Sequence, residues 1–185
     1  KPPAKPGEIK YSPPMKRLVV EHVLIKRLIA TMPGIIKNID LKSEKGRQII
    51  LDSVDFILSY ADKYHHAKEE EILFKYFDPN LDIIKAMLTD HDIGRNHVKA
   101  VIKGVQNQDK GAVVEHLNGY KNLLTEHIKK EDEILYPWID RNLTTSKVGE
   151  LFAKFSEADE KAGEVVPKKY EKFVAVLEEK LKIGG

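Results

Sequence analysis

Cysteine is missing from this chain of 185 residues. Its absence excludes disulfides, thiolate zinc sites, iron–sulfur clusters and cysteine nucleophiles. Any metal ion would therefore be held by nitrogen and oxygen ligands. Long apolar runs are missing too, since none approaches the roughly 18–20 residues of a membrane span. We therefore expect no membrane association.

The chain also lacks a strong charge of one sign. Its formal net charge is +2, with 31 Lys and Arg residues mixed among 29 Asp and Glu residues. This balance is typical of a solvated surface and gives no indication of a nucleic-acid partner. We expect a soluble protein, cytoplasmic by default. Because the chain begins with Lys1 and not Met, the mature form of an exported protein is the alternative.

The apolar residues recur with helical spacing, and no segment alternates as a strand would. A proline-rich N-terminal arm is expected over residues 1–13, with Ser12 as the cap of the helix that follows. Four long helical patterns then end near residues 32, 77, 106 and 141. Together they predict an all-α fold, an antiparallel up-down four-helix bundle over residues 14–141. A helical extension, residues 142–185, is expected to pack on the bundle, with a dimer contact as the alternative.

One motif occurs twice, 62 residues apart. Residues 65–74 and 127–136 both read His-x-x-x-Glu, followed three residues later by Ile-Leu-aromatic. On an α-helix, four residues make just over one turn, so the His and the Glu share one face. Two such helices facing each other would place four ligands around one point. The repeat therefore predicts a metal site, with room for two metal ions.

Further histidines strengthen this interpretation. One histidine lies on the apolar face of each of the four long helices, although a single histidine there is usually a core residue. The two repeat glutamates also face inward, and a buried carboxylate without a partner costs several kcal/mol. A pair of metal ions explains both observations, with bridging carboxylates and terminal imidazoles; iron is favoured, and manganese or zinc is less expected. The predicted ligands are His22, His65, Glu69, His91, His127 and Glu131.

The remaining ionisable residues are expected outside the site. His66 is turned about 100° from His65 on an α-helix, so we expect it at the periphery of the site or on the surface. His97 and His116 are expected outside the cluster. The acidic residues beside the repeat glutamates are predicted to be solvated: Glu70, Glu71, Asp132 and Glu133. No catalytic residue is assigned, and four tyrosines are weak candidates only: Tyr60, Tyr64, Tyr76 and Tyr120.

With these residues and the Asp90-His91-Asp92 sequence, the chain resembles the hemerythrin-like, or HHE cation-binding, family over about residues 14–140. The resemblance implies a four-helix bundle with two non-haem iron ions joined by an oxo or hydroxo bridge. It also implies that the four inward histidines are iron ligands and that Glu69 and Glu131 bridge the ions.

One position departs from the family pattern. Oxygen-carrying hemerythrins have a fifth histidine four residues after the third-helix histidine, where this chain has Arg95. The remaining set is similar to the di-iron proteins of iron–sulfur cluster repair, whose extra cysteine-containing domain is missing here. We expect either an open iron position or a substitute ligand, such as water, Asp62, Tyr120 or the tail residue Glu160.

These observations favour a binding protein for O₂ or NO, as a monomer or homodimer. The alternatives are a di-iron redox enzyme that reduces NO or peroxide, and a protein of iron storage, donation or sensing. Ferritin-like proteins use Glu-x-x-His, and this chain has only the partial match of Asp62 with His65. We therefore rank ferritin-type oxidation low.

Overall fold

The structure, a computed structural model, describes residues 9–183, and all regular elements in that range are helical. The α-helices are α1 (Pro13–Lys37), α2 (Glu44–Phe56), α3 (Ala67–Glu71), α4 (Asp82–Gln106), α5 (Lys110–Lys130), α6 (Tyr136–Asn142), α7 (Thr145–Ala162) and α8 (Val165–Ile183). Two π-helical segments, π1 (Ile57–His66) and π2 (Glu131–Leu135), lie between α2 and α3 and between α5 and α6. The predicted all-α class is confirmed.

Four long helices form the bundle. These are α1, the continuous segment 44–71 (α2, π1 and α3), α4, and the continuous segment 110–142 (α5, π2 and α6). Segment 44–71 lies between α1 and α4, and α5 packs on both α4 and α1, which closes the ring. The helix predicted to reach residue 77 ends earlier. Ile72 leaves the helical conformation with φ −120° and ψ −65°, and a short 3₁₀ turn (Leu73–Tyr76) follows.

The two π segments carry the repeated motif. In a π-helix each N–H bonds to the carbonyl five residues earlier, an uncommon arrangement that frequently occurs at functional sites. His65 and His66 are the last two residues of π1, and Glu131 is the first residue of π2. The two copies of the motif thus lie where the bundle helices depart from α-helical hydrogen bonding.

Two apolar clusters fill the bundle, and the inward histidines lie between them. The first cluster includes Ile25 and Leu124, and the second includes Leu18 and Leu135, all at most 2% exposed. Burying such a side chain contributes about 1.5–3 kcal/mol. His22 and His127 each lie between a residue of one cluster and a residue of the other along their own helices. The bundle therefore encloses a polar layer between two apolar ones.

The C-terminal helices pack on the bundle. Leu151 and Phe155 of α7 are fully buried in the second cluster. Val174 and Leu177 of α8 are buried in the first cluster. No helix within residues 9–183 is both long and apolar enough to cross a membrane.

The start of α1 differs from the prediction. Residues 1–8 of the proline-rich arm lie outside the described residues. Ser12 precedes α1, but its side chain does not cap the helix. Its N–H and hydroxyl both donate to the carboxylate of Asp140 instead, which joins the start of the bundle to α6.

Candidate metal centre

The four predicted histidines meet as two pairs at the centre of the bundle. Nε2 of His22 lies 3.0 Å from Nε2 of His65, and Nε2 of His91 lies 3.2 Å from Nε2 of His127. All four side chains are at most 2% exposed. They come from α1, π1, α4 and α5, so every bundle helix contributes one ring.

Each of the two glutamates reaches from one histidine pair to the other. Oε1 of Glu69 lies 3.4 Å from Nε2 of His65 and 3.7 Å from Nε2 of His91. Oε1 of Glu131 lies 2.9 Å from Nε2 of His127 and 3.4 Å from Nε2 of His22. The structure thus brings all six predicted residues together, with both carboxylates between the pairs.

These two buried carboxylates have oxygens that accept no hydrogen bond from the described residues. Within residues 9–183, nothing donates a well-directed hydrogen bond to Oε1 of Glu69 or to either oxygen of Glu131. Burial and the nearby Glu131 raise the pKa of Glu69 well above its usual range. Burial opposes the ionised form of Glu131 too, but His127 holds its pKa well below the usual range. A cation between the two carboxylates would offset the cost of burying them, and neutral imidazoles with carboxylates are a donor set that suits iron, manganese or zinc.

An outer ring of carboxylates orients the histidines. The Nδ1 atom of each ring faces a carboxylate, and metal-ligating histidines almost always donate their other N–H to a carboxylate, a backbone carbonyl or water. The pairs are His22 with Asp132 (2.7 Å), His65 with Glu21 (2.9 Å), His91 with Glu70 (3.2 Å) and His127 with Asp90 (3.0 Å). Each of these carboxylates is the sequence neighbour of a predicted ligand, yet it faces the histidine of the next bundle helix. The Nε2 atoms are thereby left facing the centre.

The sequence matches the family model described as the hemerythrin HHE cation binding domain over residues 14–139. The chain belongs to this family. The match contains all six predicted ligands and the four outer carboxylates. Searches of curated proteins and of solved structures found no match.

Two of the acidic residues of the hemerythrin domain were wrongly predicted to be solvated. Asp132 and Glu70 form part of the outer ring, because each projects toward a neighbouring helix and not toward water. Glu71 and Glu133 are exposed, as predicted. Position along a single helix could not reveal this difference, which depends on the adjacent helix.

A buried ion pair connects the hemerythrin domain to the C-terminal extension. Nζ of Lys68 donates to Glu21 and, at 2.7 Å, to Asp159 of α7. Burial raises the pKa of Glu21 to about 7, and the neighbouring Lys68 opposes the increase. Sequence reasoning missed Glu21 and Lys68, although Glu21 directly precedes His22.

A buried tyrosine also contacts the site. The Tyr136 hydroxyl lies 3.1 Å from Oε2 of Glu69 and 3.4 Å from Nε2 of His22. Burial, together with Glu131 and Glu69, raises its pKa well above the usual value. Tyr136 is the aromatic residue of the second copy of the motif, so the repeat itself marked it.

Arg95, four residues after His91, binds carboxylates. Its guanidinium donates to Asp62 at 2.8 Å and to Glu70 at 2.6 Å. Glu70 stays ionised because His91 and Arg95 lower its pKa to about 2 despite partial burial. Of the expected substitutes, Asp62 is bound to Arg95 and Glu160 is exposed on α7.

A small apolar cavity of about 20 Å³, with room for a water-sized molecule, lies beside Arg95 and is partly open to solvent. His66 and His91 line it on the side of the metal centre, and Tyr120 lines it as well. Its apolar walls are Ile57, Leu58, Gly94, Val98 and Leu124. The cavity thus reaches from the surface near Arg95 to the His91 side of the centre.

The other histidines divide into two groups. Of the two positions expected for His66, the structure places it at the periphery of the site and not on the surface, since it is 6% exposed and its ring stacks on His91 with centroids 3.9 Å apart. Burial and His91 lower its pKa to about 3. His97 and His116 lie outside the centre, as predicted, and contact each other with Nδ1 atoms 3.0 Å apart.

Proposed function

We propose that the hemerythrin domain holds two non-haem iron ions and binds O₂ or NO. His22 and His65 would hold one ion, and His91 and His127 the other. The observation that carries this proposal is the placement of Glu69 and Glu131, which span the two pairs with buried oxygens that lack hydrogen bonds. When bound, the irons supply electrons and a coordination position for a diatomic ligand.

The surrounding residues support this role. The carboxylates on the Nδ1 atoms fix the orientation of the rings and keep the Nε2 atoms available as ligands. The apolar clusters on both sides of the histidine layer limit the access of water. The accessible surface of the cavity beside Arg95 is mostly apolar, although charged residues also line it, and this surface suits a small uncharged ligand.

A second candidate function is a di-iron redox enzyme that reduces NO or peroxide. The position of Tyr136 favours it, because a buried hydroxyl beside Glu69 and His22 is placed to donate a proton at the centre. Iron storage, donation or sensing is a third possibility, and the experiments below distinguish it.

The first test is the iron content of protein that has been purified with iron supplied, measured by elemental analysis. We expect about two irons per chain in the wild type and the loss of at least one in Glu69→Ala and in His127→Ala. Glu133→Ala and His116→Ala are matched controls, since Glu133 is exposed and His116 lies outside the centre. Full iron content in Glu69→Ala or His127→Ala would show that the site assignment is wrong.

The second test exposes the anaerobic ferrous protein to O₂, NO or peroxide. A coloured adduct that disappears under inert gas supports a binding protein. Consumption of NO or peroxide over many turnovers supports the enzyme. Rapid transfer of the iron to a chelator, without either response, supports iron donation and contradicts both.

A further inference from the structure

His66 shares one feature with the four paired histidines. Its Nδ1 atom faces a carboxylate, Asp62, at 3.5 Å, and its ring is buried. Asp62 in turn accepts hydrogen bonds from Arg95, which fixes the position of the carboxylate. A carboxylate therefore lies behind the His66 ring too, at a longer distance than the 2.7–3.2 Å of the four paired histidines.

His66 lies close to only one of the two histidine pairs, that of His91 and His127. A ligand atom of His66 lies within 4.8 Å of ligand atoms of Glu69, His91 and His127. The ring is stacked on that of His91 and nearly perpendicular to that of His127, with centroids 3.9 and 5.9 Å apart. On the opposite side, the corresponding group contains only His22, His65 and Glu131. The centre is thus asymmetric among the residues that the structure describes.

Two features distinguish the first copy of the motif from the second, namely the additional histidine in its sequence and its position at the end of π1. On an α-helix, His65 and His66 would point about 100° apart, and one of them would leave the centre. Both lie at the end of π1, where the hydrogen-bond register differs, and both are buried. The second copy of the motif has Ile128 in the place of His66, and Ile128 packs in the first apolar cluster.

We propose that His66 is a third imidazole ligand of the metal ion held by His91 and His127. Arg95 acts as a positioning residue, because it holds Asp62 behind the ring. One ion then has three imidazoles and the other has two. This inference rests on the proposed function, that is, on the binding of two metal ions at the centre.

The decisive measurement is a crystal structure of the iron-loaded wild-type protein. Metal-bound histidine nitrogens lie about 2.0–2.2 Å from a first-row ion. A His66 nitrogen at that distance from the ion of His91 and His127 supports the proposal. If neither His66 nitrogen lies at a coordination distance from that ion, the proposal is overturned. The presence of two bound ions would still support the proposed function in that case. If the wild type takes up no metal, both proposals fail.

Variants give an independent readout through the kinetics of metal release. Ferrous protein is mixed with an excess of a coloured iron(II) chelator, and the two release phases are followed. We expect His66→Ala and His66→Gln to accelerate one phase at least tenfold and leave the other nearly unchanged, as expected for one lost ligand. Arg95→Gln should accelerate the same phase to a smaller extent. His97→Ala is the matched control; release from the His66 variants as slow as from this control would contradict the proposal.

Discussion

The phenolic oxygen of Tyr136 lies 3.1 Å from Oε2 of Glu69, inside a site where both side chains are fully buried. Oε1 of the same carboxylate receives no hydrogen bond from the described residues. Among the described residues, Tyr136 therefore donates the hydrogen bond that the Glu69 carboxylate receives.

Replacing Tyr136 with Phe should destabilise the metal-free protein by about 1–2 kcal/mol, because a buried carboxyl oxygen loses its donor. Urea unfolding of the metal-free protein measures this change. Tyr76→Phe is the control, since the buried Tyr76 hydroxyl has no partner among the described residues and its removal should cost little. Equal stability of the Tyr136→Phe and wild-type proteins would exclude a structural role for the contact.

Glu69→Gln should weaken metal binding but stabilise the metal-free protein, by roughly 1–3 kcal/mol at pH 7. Burial and Glu131 raise the pKa of Glu69 in the folded state above its ordinary 4.5. Such a group is least costly below its unfolded pKa, and it destabilises the fold as the pH rises above that value. The advantage of the variant should therefore shrink toward pH 4.5. Thermal melts across this range, with Glu133→Gln as control, test the prediction, and an advantage independent of pH would contradict it.

Lys68→Met should destabilise the protein by about 3 kcal/mol, because it leaves Glu21 buried without its cation. It should also loosen the attachment of α7, since Lys68 joins Glu21 to Asp159. Urea unfolding and protease sensitivity near α7 measure the two effects. Lys63→Met removes an exposed lysine of π1 and should change neither. A Lys68→Met protein as stable as this control would show that the ion pair is unimportant for stability.

Arg95→Gln should reduce the pH dependence of the free energy of unfolding of the metal-free protein at acidic pH. His91 and Arg95 lower the folded-state pKa of Glu70 from 4.5 to about 2 against the effect of burial. This stabilisation is present above pH 4.5 and is lost as the pH falls toward 2. Without Arg95 we expect about 1–2 kcal/mol less stability at pH 7 and a weaker decline between pH 4.5 and 2. Denaturant unfolding at several pH values tests this, with the exposed Arg141→Gln as control.

The sequence allowed the helices and the inward residues to be predicted, because a helical face is a local property. His65 and Glu69 are four residues apart, and that spacing alone places them side by side. That these residues bind metal stays a prediction, which the measurements of iron content test. Helix ends were less predictable, as the early end of α3 at Glu71 shows.

Two features could not be read from a single helix. The carboxylate that faces His22 is Asp132, 110 residues away, so the pairing depends on which helices are neighbours. The π segments depend on a change of hydrogen-bond partner that was not predicted from the sequence, and α-helical geometry assigned His66 to the periphery or the surface. Its burial follows from π1 and from the Asp62–Arg95 pair.

The outer carboxylates link the four bundle helices in a closed circuit. Asp132 of π2 faces α1, Glu21 of α1 faces π1, Glu70 of α3 faces α4, and Asp90 of α4 faces α5. A rotation of any one helix would therefore disturb its own ring and the ring of its neighbour. Local opening of the centre should be nearly as costly as global unfolding, so backbone amides near all four rings should exchange with solvent deuterium at one common, slow rate.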